Sequence, residues 1–228
     1  IKSLEIQYSI FKKKPNYSKS ELNNLIKNYE EKIEEIGITN ESVFTVIDLA
    51  HILAFYSSEL EKSKELLLNI LSKKNYSELN LAHCKLKLGD ILLIENNIWE
   101  AQLYYSQVEK KFKHEVIGQE AKFKKIQIDY YTGKFSWAQS QLDILKQSTS
   151  KLIANNAMEL SLIIGDNLNL DTTQMPLKLY AEAELLIFQN QYDQALQKFN
   201  TIEKIYPNHS LQDNILFQKS SIETKRGN

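Results

Sequence analysis

The sequence predicts an all-α fold of helical hairpins stacked side by side into a solenoid. Three observations predict it. A helix–turn–helix pattern, clearest in KLYAEAELLIFQNQYDQALQKFNTIEKIYPNH at 178–209, recurs along most of the 228 residues. Gly 6 and Pro 3 are too few for the many turns of a sheet protein. Pro15, Pro176 and Pro207 all fall at the ends of helix-periodic stretches, where a residue without an N–H does least harm.

In the clearest copy the first helix covers about 178–188, Gln189-Asn190-Gln191 turns the chain, and a second helix runs over 192–206 before Pro207. Counting is easiest from Ala195, the small residue opening the second helix. Tyr192 stands three before it, Phe199 four after and Ile202 seven after; Asn190 lies five before, in the turn, and Ala183 twelve before, on the first helix. Small residues suit the place where paired helices cross. Large apolar ones suit the seam with the next hairpin, because one hairpin cannot bury its own apolar face.

The same frame fits upstream. Around Ala101 it finds Gly89, Ile98, Tyr105 and Val108; around Ala138 it finds Gly133, Phe135, Leu142 and Leu145; around Ser63 a weaker copy has Leu60, Leu67 and Ile70. The reference residues Ser63, Ala101, Ala138 and Ala195 are spaced 38, 37 and 57 apart. The first two spacings are one repeat with a long loop, and the third is one repeat plus a further helix.

Taken in order, residues 1–18 predict a short helix end and a loop at Pro15, with Lys12 to Lys14 solvated at a helix C-terminus. A helix follows from Ser20 to Ile36, capped by Ser18 or Ser20 and stopped by Gly37. The next opens near Thr39 or Asn40 and runs from Val43 to Tyr56, with Ser57-Ser58 as the turn and 60–72 as its partner. Hairpins over 43–72, 78–112 and 116–147 precede an extra helix at 151–165. Residues 165–173 read as a loop whose Asp171, Thr172 or Thr173 caps the helix of the 176–207 hairpin. A last helix at 211–225 lacks its partner, so Leu211, Ile215, Leu216 and Ile222 are expected to be uncovered and to promote self-association. The chain is expected to be one repeat domain, 1–228, and a fragment of a longer protein.

The hairpin unit resembles the tetratricopeptide repeat, a family of 34-residue helix pairs. The resemblance implies a right-handed α-solenoid with protein-binding function. From about residue 80 onward, and most specifically around SWAQSQLDILK, the chain is similar to the central region of long tetratricopeptide proteins of Bacteroidetes-type bacteria. Members of that group often carry an export signal, which implies a periplasmic or envelope-side scaffold. It names no catalytic residue.

In that family the first helix of each pair lines a concave groove. Carried over by register, the groove set is His83, Leu86, Asp90 and Leu93, then Glu120, Phe123, Gln127 and Tyr130, then Leu177, Tyr180, Glu184 and Ile187. Leu93, Leu177 and Ile187 read as packing residues. The remaining nine, aromatic and polar apart from Leu86, suit an extended peptide or a helix held by stacking and amide contacts. The basic clamp by which some relatives hold acidic C-termini is missing: only Lys87 and Lys124 are cations at its positions.

Other chemistries lack their residues. The net charge of −1 and the single arginine, Arg226, disfavour a nucleic-acid groove. No run of eighteen apolar residues reads as a membrane span. His51, His83, His114 and His209 show no metal spacing, and adjacent His83 and Cys84 point about 100° apart on a helix. The loop near Asp166 lacks the glycine and glutamate of a calcium site. Nucleophile elbows and phosphate loops are absent. The expectation is a non-enzymatic adaptor without cofactor or metal. The alternatives are a structural spacer, or a sensor with a small-molecule pocket beside the extra helix.

Overall fold

A computed structural model describes residues 1–14, 16–73, 75–169 (the backbone alone at 169) and 173–226. The chain is all-helical, and the described residues contain no strand. The helices are α1 (Lys2–Lys13), α2 (Lys19–Ile36), α3 (Val43–Phe55), α4 (Leu60–Leu71), α5 (Glu78–Ile94), α6 (Ile98–Lys111), α7 (Val116–Tyr131), α8 (Phe135–Leu145), α9 (Lys151–Asn169), α10 (Met175–Phe188), α11 (Tyr192–Ile205) and α12 (Gln212–Arg226). Contacts divide them into two compact units, Ile1–Tyr104 and Tyr105–Thr224, with the division inside α6.

In the first unit α1 is a full helix, where the sequence suggests only a helix end. Leu4, Tyr8 and Phe11 fall four and three residues apart on one face and bury against Leu22, Leu25, Ile26 and Tyr29 of α2 and Leu49, Ile52 and Leu53 of α3. Pro15 lies outside the described residues. Helix α2 starts with a reciprocal cap: the Ser18 hydroxyl accepts from the Glu21 N–H at 3.1 Å, and the Glu21 carboxylate accepts from the Ser18 N–H at 2.8 Å. It stops at Gly37, whose φ of +68° is open to glycine without strain. Helix α3 packs on α2, α4 and α5. That explains why it is apolar almost all round rather than amphipathic.

In the second unit α7 packs on α8, α8 on α9 and α10 on α11, while α7 also touches α9 and α10. One core joins Ile126 and Tyr130 of α7, Phe135, Ala138, Leu142 and Leu145 of α8, Ile153, Ala157, Leu160 and Ile164 of α9, and Leu177 and Ala181 of α10. A second joins Tyr180 and Ala183 of α10, Ala195, Phe199 and Ile202 of α11, and Leu211, Ile215 and Ile222.

The repeating frame has a backbone signature. Ser58, Asn96, Gly133 and Asn190 each lie five residues before the small reference residue, and all have positive φ, 61°, 64°, 80° and 59°. Beyond them the N–H of Asn97, Lys134 and Gln191 reaches back to the carbonyl of Leu92, Asp129 and Leu186, each at 2.8 Å. This is the left-handed closure of a helix C-terminus, repeated in register. The reference residues Ser63, Ala101, Ala138 and Ala195 are fully buried, as are Leu67, Tyr105, Leu142 and Phe199 one turn on. Ser63 tolerates this because its hydroxyl donates to the Ala50 carbonyl at 2.6 Å.

Three expectations are corrected. Helix α9 does not stop at Gly165 but runs to Asn169. Leu168 prolongs its apolar stripe of Ala157, Leu160 and Ile164 onto the core, and the Asn167 amide donates to the Ile163 carbonyl at 2.6 Å. Of the caps expected for α10, Asp171 and Thr172 lie outside the described residues, while Thr173 stands one residue before the N-cap and its hydroxyl accepts from the Met175 N–H at 3.3 Å. The N-cap is Gln174 without a side-chain bond, although Pro176 does sit in the first turn. Third, the apolar side of α12 is covered: Leu211, Ile215 and Ile222 are fully buried in the second core. Of the four residues named for it, only Leu216 is exposed.

Candidate functional site

Burial separates the nine groove residues. In the first unit Leu86 and Asp90 of α5 are buried, and Lys87 approaches Asp90 at 3.3 Å. His83 is half-buried, its ring 4.9 Å from that of Phe44. A broad groove of about 670 Å³ in this unit lies along α4, α5 and the start of α6, walled by Leu68, Leu92, Glu65 and Tyr104. Lys64 on its rim is tied to Glu61 and Glu95 at 2.8 and 2.7 Å.

In the second unit four of the nine converge. Phe123, Gln127 and Tyr130 of α7 and Glu184 of α10 line one cavity of about 200 Å³. They fall together because Phe123, Gln127 and Tyr130 are spaced four and three apart on one face of α7, and α10 packs against that helix. The far wall was legible in the sequence only as an extra helix, not by its residues. It is α9, which supplies Asn156, Glu159, Leu160 and Ile163, and Tyr131 completes the rim. Residues 151–165 read as an extra helix from their apolar spacing, but nothing in that spacing says which polar side chains face a cavity. Glu120 is half-buried one turn away and does not line it.

Tyr130 and Tyr180 are buried supports rather than exposed anchors, each 1% exposed. The Tyr130 hydroxyl donates to Glu184 Oε2 at 2.7 Å. The Gln218 amide of α12 donates to Glu184 Oε1 at 3.2 Å, and the Tyr180 hydroxyl is a further partner. Glu184 is thus a carboxyl held in a preset orientation with part of its surface open to the cavity. Among the described residues no lysine, arginine or histidine pairs with it.

Burial pushes the Glu184 carboxyl up to about 7, and the neighbouring Glu159 charge adds to the rise; the three hydrogen bonds oppose it without cancelling it. Burial and the same carboxylate hold the Tyr130 hydroxyl well above the ordinary phenol range. In the first unit burial pushes the Cys84 thiol up to about 12, so it is a packing residue rather than a nucleophile.

The consequence for stability has a definite sign. An unfolded glutamate ionises near pH 4.3. The folded chain keeps its proton to about pH 7. Below pH 4 both states are protonated and nothing is lost. Between those values stability falls as pH rises, and the penalty is complete above about pH 7. Glu184→Gln, which resembles the neutral acid, is expected to lie close to the parent near pH 4.5 and to exceed it by about 3 kcal/mol at pH 8. Urea unfolding at the two pH values measures this; an equal difference at both would contradict it.

Among the described residues no group of three or more His, Cys, Asp or Glu stands where it could hold a metal ion. No described helix is long and apolar enough to cross a membrane. No protein-family model, curated protein or solved structure gives a significant match to the chain.

Proposed function

We propose that the chain is a non-enzymatic interaction scaffold of the tetratricopeptide type, a right-handed α-solenoid of helix hairpins with α9 as an inserted helix. It holds a peptide or helix of a protein partner, and the cavity between α7, α9 and α10 anchors one partner side chain. The observation that carries this is convergence: Phe123, Gln127, Tyr130 and Glu184, residues at groove positions of two successive hairpins, line a single cavity. The four left-handed turns in one register support the repeat assignment. Aromatic walls with a few fixed polar groups are what side-chain recognition uses.

A second reading, a small-molecule sensor at the same cavity, is favoured by the lining itself. Carboxylates, amides and rings outnumber the aliphatic Leu160 and Ile163. Crosslinking pulldown of the full-length protein from its native cells, with mass spectrometry, separates the readings. Gln127→Trp, which fills a half-buried wall position, is expected to remove a specific subset of partners while leaving the thermal melt unchanged. An unchanged partner set would favour a structural spacer. A thermal shift by small metabolites in the parent, abolished by Gln127→Trp, would favour the sensor.

A further inference from the structure

Resting on the reading of the α7–α9–α10 cavity as the binding site, we propose that its ligand is an organic cation: one ammonium or guanidinium group seated against Glu184 and Glu159 among the rings of Phe123, Tyr130 and Tyr131. The cavity has two carboxylates, from α10 and α9, and the amides of Gln127 and Asn156, but no lysine, arginine or histidine in its lining. Every charge it offers is negative. The Tyr130 hydroxyl, its one phenol donor held at a known atom, is already committed to Glu184. An anionic ligand would meet two carboxylates and no counter-charge. A cation would be attracted by both while its flanking methylenes lie along Leu160, Ile163 and the rings, which also attract positive charge electrostatically.

Size and orientation agree with this. The cavity of about 200 Å³ takes the end of one side chain or a small amine. Glu184 is fixed before the ligand arrives: Tyr130, Tyr180 and Gln218 hold its carboxyl from α7, α10 and α12. A ligand therefore spends little on ordering its counter-ion. The groups facing Glu184 are these three, together with Glu159 from α9.

The source of the cation is either a partner's lysine or arginine side chain or a free amine. The probes are acetyl-Ala-Lys-Ala-amide, the same peptide with its lysine ε-acetylated, butylammonium and acetate, each titrated into the full chain and followed by NMR shifts of the Phe123 ring and Ile163 methyl signals. The lysine peptide is expected to bind at least tenfold more tightly than its acetylated form. Its affinity should rise about tenfold from pH 6 to pH 8 as Glu184 ionises. Glu184→Gln should lower the affinity about tenfold at pH 8 and flatten the pH dependence. Glu159→Gln, an exposed change that leaves the fold intact, should lower it about threefold. Butylammonium binding as well as the peptide assigns a free amine as the source; peptide binding alone assigns a protein side chain. Equal binding of the acetylated peptide, preference for acetate, or no saturable shift with either cation overturns the inference. Should that happen while Gln127→Trp still removes partners, the scaffold reading stands and only the ligand class falls.

Discussion

Phe199→Ala is expected to lower the unfolding free energy by about 3–5 kcal/mol. The side chain is fully buried. Its ring lies 5.6 Å from that of Tyr180 at a 45° tilt, and the same core contains Ala183, Ala195, Ile202, Leu211, Ile215 and Ile222. Truncation removes the transfer free energy of the ring and leaves a void that small neighbours such as Ala183 and Ala195 cannot fill. The loss should also loosen Tyr180 and through it the orientation of Glu184. Phe217, 73% exposed on α12, is the internal control: Phe217→Ala should stay within about 0.5 kcal/mol. Urea midpoints of the two variants measured side by side decide the matter. A difference below 1 kcal/mol between them would show that the second core is not packed as described.

Gly118→Ala is expected to destabilise by about 1–3 kcal/mol or more, although the same change inside most helices stabilises by about 1 kcal/mol. Gly118 lies in the first turn of α7. A β-carbon there would fall 1.9 Å from the Phe112 carbonyl oxygen and 2.5 Å from its carbon. The obstacle is backbone, and it cannot swing aside. The Phe112 carbonyl accepts from the Glu115 N–H at 2.9 Å, and the Gly118 N–H donates to the Glu115 carbonyl at 3.1 Å. Yielding would therefore break the short turn between α6 and α7. The steric term outweighs the propensity term because overlap at 1.9 Å costs far more than the entropy glycine loses. Gly165→Ala is the matched comparison, since nothing lies within 4 Å of its β-position, and it should stabilise. Equal urea midpoints for the two variants would mean that the turn at 112–115 relaxes freely.

The helical hairpins were legible in the sequence because their signals are local. Ala195, Phe199 and Ile202, and their counterparts around Ala138, repeat at spacings that follow from 3.6 residues per turn, and each is buried. The turn residues Gly133 and Asn190 were legible for a related reason: asparagine and glycine tolerate the left-handed backbone such a closure needs, as Asn96 also shows. Ser58 shares that conformation without belonging to the favoured residue types. The N-terminal helix was legible only in part, since Leu4, Tyr8 and Phe11 mark a face over barely two turns before the chain reaches Pro15.

At the site, register along α7 picked out Phe123, Gln127 and Tyr130, and register along α10 picked out Glu184. Whether a groove position is wall, floor or buried support is a different question. Tyr130 and Tyr180 occupy groove positions and are buried, because α9 and α12 bring further side chains over them. Glu159 and Gln218, which set the charge and the orientation of Glu184, stand 25 and 34 residues away from it in the chain. Periodicity reports which face of a helix is buried, since that depends on neighbours one turn away. Which helix covers that face, and which carboxyl it leaves without a cation, depends on contacts between distant residues, and only the tertiary structure decided them.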